Sequence, residues 1–312
     1  MPSAASVRVS ESAASIRQVW PTTPKIGLIL GTGLSQAADR MKVEQSLPFQ
    51  RIAHFASATA LSHAGRVVCG ELAGIKTIAM AGRCHLYEGY SYDQVTLPVR
   101  VMRALGAEIL IVSNASGGLN PGYRGGDIMV MTDHLNFMFG VHRPAGLFSR
   151  SAPPSEKCPA DTRCAEDPDR PDAWMAPTNS DVRCGWCYDS ELIDVSLAIA
   201  RRDGFRAHRG AYVAVTGPNY ETRAEYRMFR RIGGDAVGMS TVPEVLTAAS
   251  LGMRVLGLSM VTNVALPDSP EKVDPQDVVE WAARAEPHLC RIVEGVAGHL
   301  MPDSGKLRLR PS

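Results

Sequence analysis

Arg83, His85 and Tyr87 stand at alternate positions in the run Ile78 to Gly89, I-A-M-A-G-R-C-H-L-Y-E-G. A guanidinium is a permanent forked cation, an imidazole titrates near neutral pH, and a phenol both donates and accepts. Together they suit an anion and a hydroxylated ligand held side by side. The run opens as continuous apolar sequence, the mark of a strand buried on both faces, and breaks at Gly82. If the backbone stays extended, the three polar side chains point to one side and Cys84 and Leu86 to the other. The plainer alternative is a surface turn with scattered polar residues.

Other chemistry-bearing clusters follow the same rule of sitting just after an apolar segment. Lys25 to Leu30 leads into Gly31-Thr32-Gly33, where backbone N–H groups and a hydroxyl can approach an anion together. Gln36 stands where a dinucleotide fingerprint needs its third glycine, and an ordinary strand-to-helix turn fits as well. His63 lies in Ser62-His63-Ala64-Gly65-Arg66, and a lone histidine is more often structural than a ligand. Glu108 to Val112 runs into Ser113-Asn114-Ala115-Ser116-Gly117-Gly118, whose small residues let a flat ring lie against the backbone. Gly217-Pro218-Asn219-Tyr220-Glu221-Thr222 presents an aromatic ring beside a carboxylate, and further clusters are Met239-Ser240-Thr241 and Thr262-Asn263.

The elements that must position these clusters alternate between strand and helix. A hairpin is expected over Val67 to Leu72 and Ile75 to Met80, turning at Ala73-Gly74. Ser91 and Gln94 fit a capping box for a helix with Val95, Val99, Met102 and Leu105 on one face; Pro98 should kink it and Gly106 end it. Strands are expected at Asp127 to Met131, Ala211 to Val215, Ala236 to Gly238 and Val255 to Val261. Helices are expected at Asp189 to Asp203 and Ala224 to Ile232, then after a cap at Ser240 or Thr241 with Pro243 in the first turn, and from Asp274-Pro275 through a kink at Pro287. This alternation predicts a single α/β domain around a central mixed, largely parallel sheet flanked by helices, with ligands bound beyond the strands' carboxyl ends.

Composition narrows the function. The 312 residues carry a formal net charge of +1, which gives no electrostatic footprint for nucleic acid or an anionic membrane. No apolar run approaches the ~20 residues that span a bilayer. Residues 1–22 are Ser/Ala-rich without an apolar signal core, and a disordered tail is expected there, an organelle transit peptide being the second reading. The domain is placed at 23–301, followed by a basic, frayed tail at 302–312. Seven cysteines, an odd set without a secreted framework's spacing, indicate a reducing compartment and a cytoplasmic protein. Residues 149–185 break the pattern with Pro, Asp, Arg and Cys, and read as an inserted loop. Cys158, Cys164, Cys184 and Cys187 are either a structural zinc site or free thiols; the first pair is spaced wider than in a usual zinc ribbon or finger.

In order along the chain, G31-T-G-L, H63-A-G-R, G82-R-C-H-L-Y-E-G-Y, N114-A-S-G-G-L-N-P with D127-I-M and D133-H, G217-P-N-Y-E-T, G238-M-S-T-V-P-E and T262-N resemble the trimeric, low-molecular-weight purine nucleoside phosphorylases of the nucleoside phosphorylase family. The resemblance spans residues 25–265 apart from the insert. It implies that Thr32, His63, Arg83, His85, Ser240 and the Ala115 backbone hold inorganic phosphate. It implies that Tyr87, His85 and Met239 line the ribose, that Tyr220 lies against the base, and that Glu221 and Asn263 hydrogen-bond the purine. Asn263, Glu221 and His85 are then the catalytic set. Phosphate is co-substrate and nucleophile, no metal or organic cofactor takes part in catalysis, and the assembly is a homotrimer.

Two departures accompany the resemblance. The family's histidine near the start of the final helix, which reaches the ribose 5′-hydroxyl, is absent from Val273-Asp274-Pro275-Gln276-Asp277. The segment that supplies an aromatic residue to a neighbouring subunit is replaced by the insert, where Trp186 or Phe148 could substitute. The expected activity is phosphorolysis of inosine, guanosine and their deoxy forms. The nearest rival is a 5′-methylthioadenosine or methylthioinosine phosphorylase, although the methylthioadenosine branch usually carries Asp where this chain has Asn263. A silent nucleoside-binding protein on the same fold would have no use for Arg83, His85, Glu221 and Asn263 together.

Overall fold

The computed structural model describes residues 3–31, 35–57, 64–138, 187–265 and 275–301. Thr32, His63, Phe148, Trp186, the whole expected insert at 149–185 with Cys158, Cys164 and Cys184, and the 302–312 tail lie outside these residues.

Residues 1–22, expected as a disordered tail, instead contain helix α1 (Ala4–Arg17), capped by Ser3. Its Val9, Ala13 and Ile16 are buried at helical spacing, the small residues between them allowing close approach. Ser12 Oγ donates to Ala53 O at 2.6 Å and Arg17 Nη2 to Ala104 O at 2.6 Å. Trp20 follows, almost fully buried, its Nε1 donating to Glu44 Oε2 at 2.8 Å. A Ser/Ala-rich segment too polar to fold alone is thus ordered by docking.

The strands are β1 (Ile26–Leu30), β2 (Lys42–Pro48), β3 (Arg66–Leu72), β4 (Ile75–Ala81), β5 (Ile109–Gly118), β6 (Ile128–Asn136), β7 (Ala207–Ala214), β8 (Ala236–Gly238) and β9 (Arg254–Val264). The remaining helices are α2 (Tyr92–Leu105), α3 (Ser190–Asp203), α4 (Arg223–Arg231), α5 (Val242–Ser250) and α6 (Pro275–His299). The β3–β4 hairpin turns at Ala73 and Gly74 with φ of +46° and +83°, the pair of positive values that a two-residue turn matching the strand twist requires. Helix α2 starts with the Ser91–Gln94 capping box, carries through Pro98, and ends where Gly106 adopts φ +114°. A Cβ at Gly106 would also stand 2.4 Å from Thr23 Cγ2, so glycine is required twice over.

The nine strands form one mixed sheet in the order β2-β3-β4-β1-β5-β8-β7-β6-β9. β9 also pairs with β5, so β5, β8, β7, β6 and β9 close into a ring that the sequence pattern did not indicate. Five of the nine pairings are parallel, among them β1 with β4 and with β5, and β5 with β9. Helices cover both faces, and one buried apolar cluster runs from Val9 to Ala297, the physical basis of a single domain. No helix among the described residues is long and apolar enough to cross a membrane.

Candidate functional site

One cleft of about 730 Å3, its open mouth included, collects the clusters that follow β1, β4, β7 and β8 together with the carboxyl ends of β5 and β9. Its lining includes Arg83, His85, Tyr87, Ala115, Tyr220, Glu221, Met239, Ser240 and Asn263, so every expected site residue that is described comes together there.

Arg83 comes from the loop after β4, where Gly82 takes φ +107° and ends the strand. The extended alternation expected through Tyr87 stops at His85, which caps the short helical turn Leu86–Glu88. The grouping survives because the His85 and Tyr87 rings stack, with centroids 4.7 Å apart and planes 15° from parallel. Glu88 Oε1 meets His85 Nδ1 at 2.7 Å and accepts from the His85 backbone N–H at 2.8 Å, which fixes the ring's orientation. Burial raises the Tyr87 phenol above its ordinary pKa, so it stays a neutral hydroxyl.

Arg83 is buried and anchored on the protein side through three of its five N–H groups. Nη1 donates to Thr241 Oγ1 at 3.2 Å and to Glu244 Oε1 at 3.1 Å, and Nη2 donates to the Ser113 carbonyl. Gly31 makes room for this arrangement, since a Cβ there would stand 2.7 Å from Ser113 O and 3.0 Å from Arg83 Nη2. Of the two cap candidates, Ser240 and Thr241, it is Thr241 that holds the N-cap position of α5, but its side chain makes no cap hydrogen bond. Its φ is +76° and the Val242 N–H returns to Ser240 O at 2.9 Å, a γ-turn of the rare positive-φ hand. Strain of this kind persists only where surroundings hold it. Here Thr241 Oγ1 accepts from Arg83 and from Asn114 Nδ2 at 2.7 Å, so its proton is left for Ser240 Oγ at 3.1 Å. Asn114 Oδ1 in turn lies 2.6 Å from Ser259 Oγ, tying the turn to the β5–β9 pair.

A further part of the lining is set by sheet register. The residues from Ser113 to Gly118, expected as a loop, continue β5, and a register shift after Ser116 places Gly117 opposite Asn263 on β9 and Val237 on β8. Thr262 Oγ1 lies 3.1 Å from Asn263 Oδ1. Glu221 precedes Thr222, the N-cap of α4, and Tyr226 from that helix donates its hydroxyl to the Glu221 carboxylate. Burial raises the Glu221 pKa above its ordinary value, and the Tyr226 bond opposes the rise. Tyr220 stands half exposed at the mouth. The cleft therefore combines a guanidinium, an imidazole and hydroxyls with one carboxylate and one amide.

The sequence reading missed Glu88, Tyr226, Thr241 and Glu244 as parts of this site. Glu88 carried a local signal, three residues after His85, and Tyr226 lies five residues after Glu221. Glu244 stands in the G238-M-S-T-V-P-E run but reads there only as an acidic first-turn residue of α5. Of the four cysteines considered for zinc, only Cys187 is described; it is a free, half-buried thiol whose pKa burial raises. Among the described residues no group of three or more His, Cys, Asp or Glu is placed to hold a metal.

Residues 25–297 match the phosphorylase superfamily. Purine nucleoside phosphorylase 1 of Bacillus subtilis is 43% identical over 93% of this chain and 97% of its own length. The crystal structure of Schistosoma mansoni purine nucleoside phosphorylase in complex with inosine has a TM-score of 0.77 at 33% identity, covering 95% of this chain and 98% of that one. The same Schistosoma mansoni enzyme in complex with adenosine also gives 0.77, at 34% identity and the same coverage. With this identity running nearly end to end, the chain belongs to the phosphorylase superfamily and, within it, to the purine nucleoside phosphorylases.

Proposed function

We propose that the chain cleaves the N-glycosidic bond of 6-oxopurine nucleosides with inorganic phosphate, releasing the base and ribose 1-phosphate. The observation that carries this reading is the presence of Glu221 and Asn263 in one cleft with Arg83, His85 and Ser240. In this reading Arg83, His85, Ser240 and the Ala115 backbone hold phosphate, joined by Thr32 and His63. Tyr87 and Met239 line the ribose, and Tyr220 lies over the base.

A phosphate oxygen attacks C1′ as the C1′–N9 bond breaks, and the bond's electron pair passes into the purine. The sugar gains oxocarbenium character and the leaving base gains negative charge, so donors placed for that state lower the barrier. The Asn263 amide donates toward N7, and the Glu221 carboxylate accepts the N1–H that a 6-oxopurine carries. The departing base takes its proton from solvent. Phosphate is the nucleophile, which leaves no role for a metal or organic cofactor in the reaction. A homotrimer in the cytoplasm is the assembly and location this reading carries.

A second reading is favoured by one feature, the missing histidine at 273–277, which suits an apolar 5′ group such as methylthio. Asn263 favours the 6-oxo substrate over that alternative. The test is stoichiometric formation of hypoxanthine and ribose 1-phosphate from inosine. No base should appear without phosphate, and phosphate-independent release would refute phosphorolysis.

A further inference from the structure

We propose that Glu244 sets the affinity of the cleft for phosphate: it balances the charge of Arg83 and fixes the guanidinium's position without touching the anion. The inference rests on the phosphorolysis reading above and adds a positioning residue to it.

The Arg83 and Glu244 side chains are 3% and 2% exposed, so their charges meet at 3.1 Å where water does not screen them. Oε1 takes the guanidinium bond, and Oε2 is buried with no hydrogen-bond partner among the described residues. A buried carboxylate so poorly supplied with donors is tolerated because an unscreened cation stands beside it. Arg83 and Glu244 also line a second, small cavity behind the cleft, walled by Ile29, Phe49, Phe55 and Met80. Glu244 does not line the cleft itself, whereas Arg83 lines both spaces. The carboxylate therefore acts through the guanidinium, from the side opposite the ligand.

The arrangement has a consequence for an incoming anion. A lone buried arginine would hold a phosphate dianion, and the ribose 1-phosphate product, very tightly. With Glu244 behind it, the cation reaching the cleft is largely compensated before any anion arrives. Affinity is then low enough for the sugar phosphate to leave, while the geometry of the fork is kept by Thr241, Ser113 and Glu244 together.

Two substitutions separate the charge from the anchor. Glu244→Gln keeps an oxygen for Nη1 and removes the negative charge. Even at a water-like dielectric, the loss of one negative charge several ångströms from a dianion should lower the phosphate KM by about tenfold, and by more in a drier site. The nucleoside KM should stay within about twofold, and kcat should fall as the sugar phosphate is retained. Glu244→Leu removes charge and anchor together, and the phosphate KM should rise. Thermal unfolding supplies a readout without turnover: phosphate should raise the Tm of Glu244→Gln more than that of the wild type, because the anion restores the missing counter-charge. An unchanged or raised phosphate KM in Glu244→Gln, or shifts of the same sign in both variants, overturns the inference alone. A wild-type protein whose Tm does not respond to phosphate overturns it together with the phosphorolysis reading.

Discussion

The Thr262 hydroxyl stands 3.1 Å from Asn263 Oδ1 and 3.1 Å from the Ser116 carbonyl, so its one proton is shared between the cleft-lining amide and the β5 backbone. With its oxygen engaged by Thr262, the Asn263 NH2 group is the part of the amide that the proposed reading assigns to the purine. Asn263→Asp should therefore lower inosine turnover and move preference toward 6-aminopurines, since a carboxylate accepts from an exocyclic amine or, once protonated, donates to N7. Losing one charge-stabilising donor of this kind costs about 3 kcal/mol at the transition state. Steady-state kinetics on inosine and adenosine checks it; unchanged selectivity would show that Asn263 does not meet the base.

Arg83→Ala should raise the phosphate KM far more than the nucleoside KM. Truncating one partner of a buried charged contact costs roughly 2–5 kcal/mol, and here it also strands Glu244. Varying phosphate at saturating inosine measures the effect, and an unaltered phosphate KM places the anion elsewhere.

The burial of Glu221 predicts a pH signature. Its pKa is raised, first by desolvation, and the ionised form is the much stronger acceptor for a purine N1–H. The acid limb of kcat/KM for inosine should then lie above the ordinary glutamate value of about 4.3. Glu221→Gln should lack that limb. The folded state binds this proton more tightly than the unfolded chain, so the favourable linkage is present at low pH and disappears as pH rises through the folded value. Glu221→Gln should accordingly be more stable than the wild type at neutral pH. An inosine profile flat down to the ordinary range would separate Glu221 from base recognition.

Helix α1 is expected to matter for stability. Trp20 is 3% exposed within the common core, and Trp20→Ala should cost about 3–5 kcal/mol in denaturant unfolding. A loss below about 1 kcal/mol would mean that this end of the chain docks only loosely.

What the sequence disclosed and what it hid divide along contact range. The Ser91–Gln94 box, the Gly106 stop and the Ala73-Gly74 turn are set by neighbours, and the structure has them where the residues indicated. The clusters that carry the site were legible because each follows an apolar run, and the resemblance supplied the roles of their residues. Their supports were hidden, since the Arg83–Glu244 bond joins positions 161 residues apart, and the Gly117–Asn263 pairing depends on a register shift between distant strands. The ring closed by β5 and β9 was hidden for the same reason. Helix α1 escaped because Ser and Ala bury well against a neighbour without an apolar stripe of their own.

The central claim is that the Glu221–Asn263 pair selects a 6-oxopurine nucleoside for phosphorolysis. Phosphate-dependent base release from inosine, guanosine, adenosine and methylthioadenosine, compared side by side as kcat/KM, tests it most directly. Two mispaired hydrogen bonds in a buried site cost on the order of 2–6 kcal/mol, so inosine and guanosine should exceed adenosine by well over tenfold. Comparable kcat/KM values for adenosine and inosine would contradict the account.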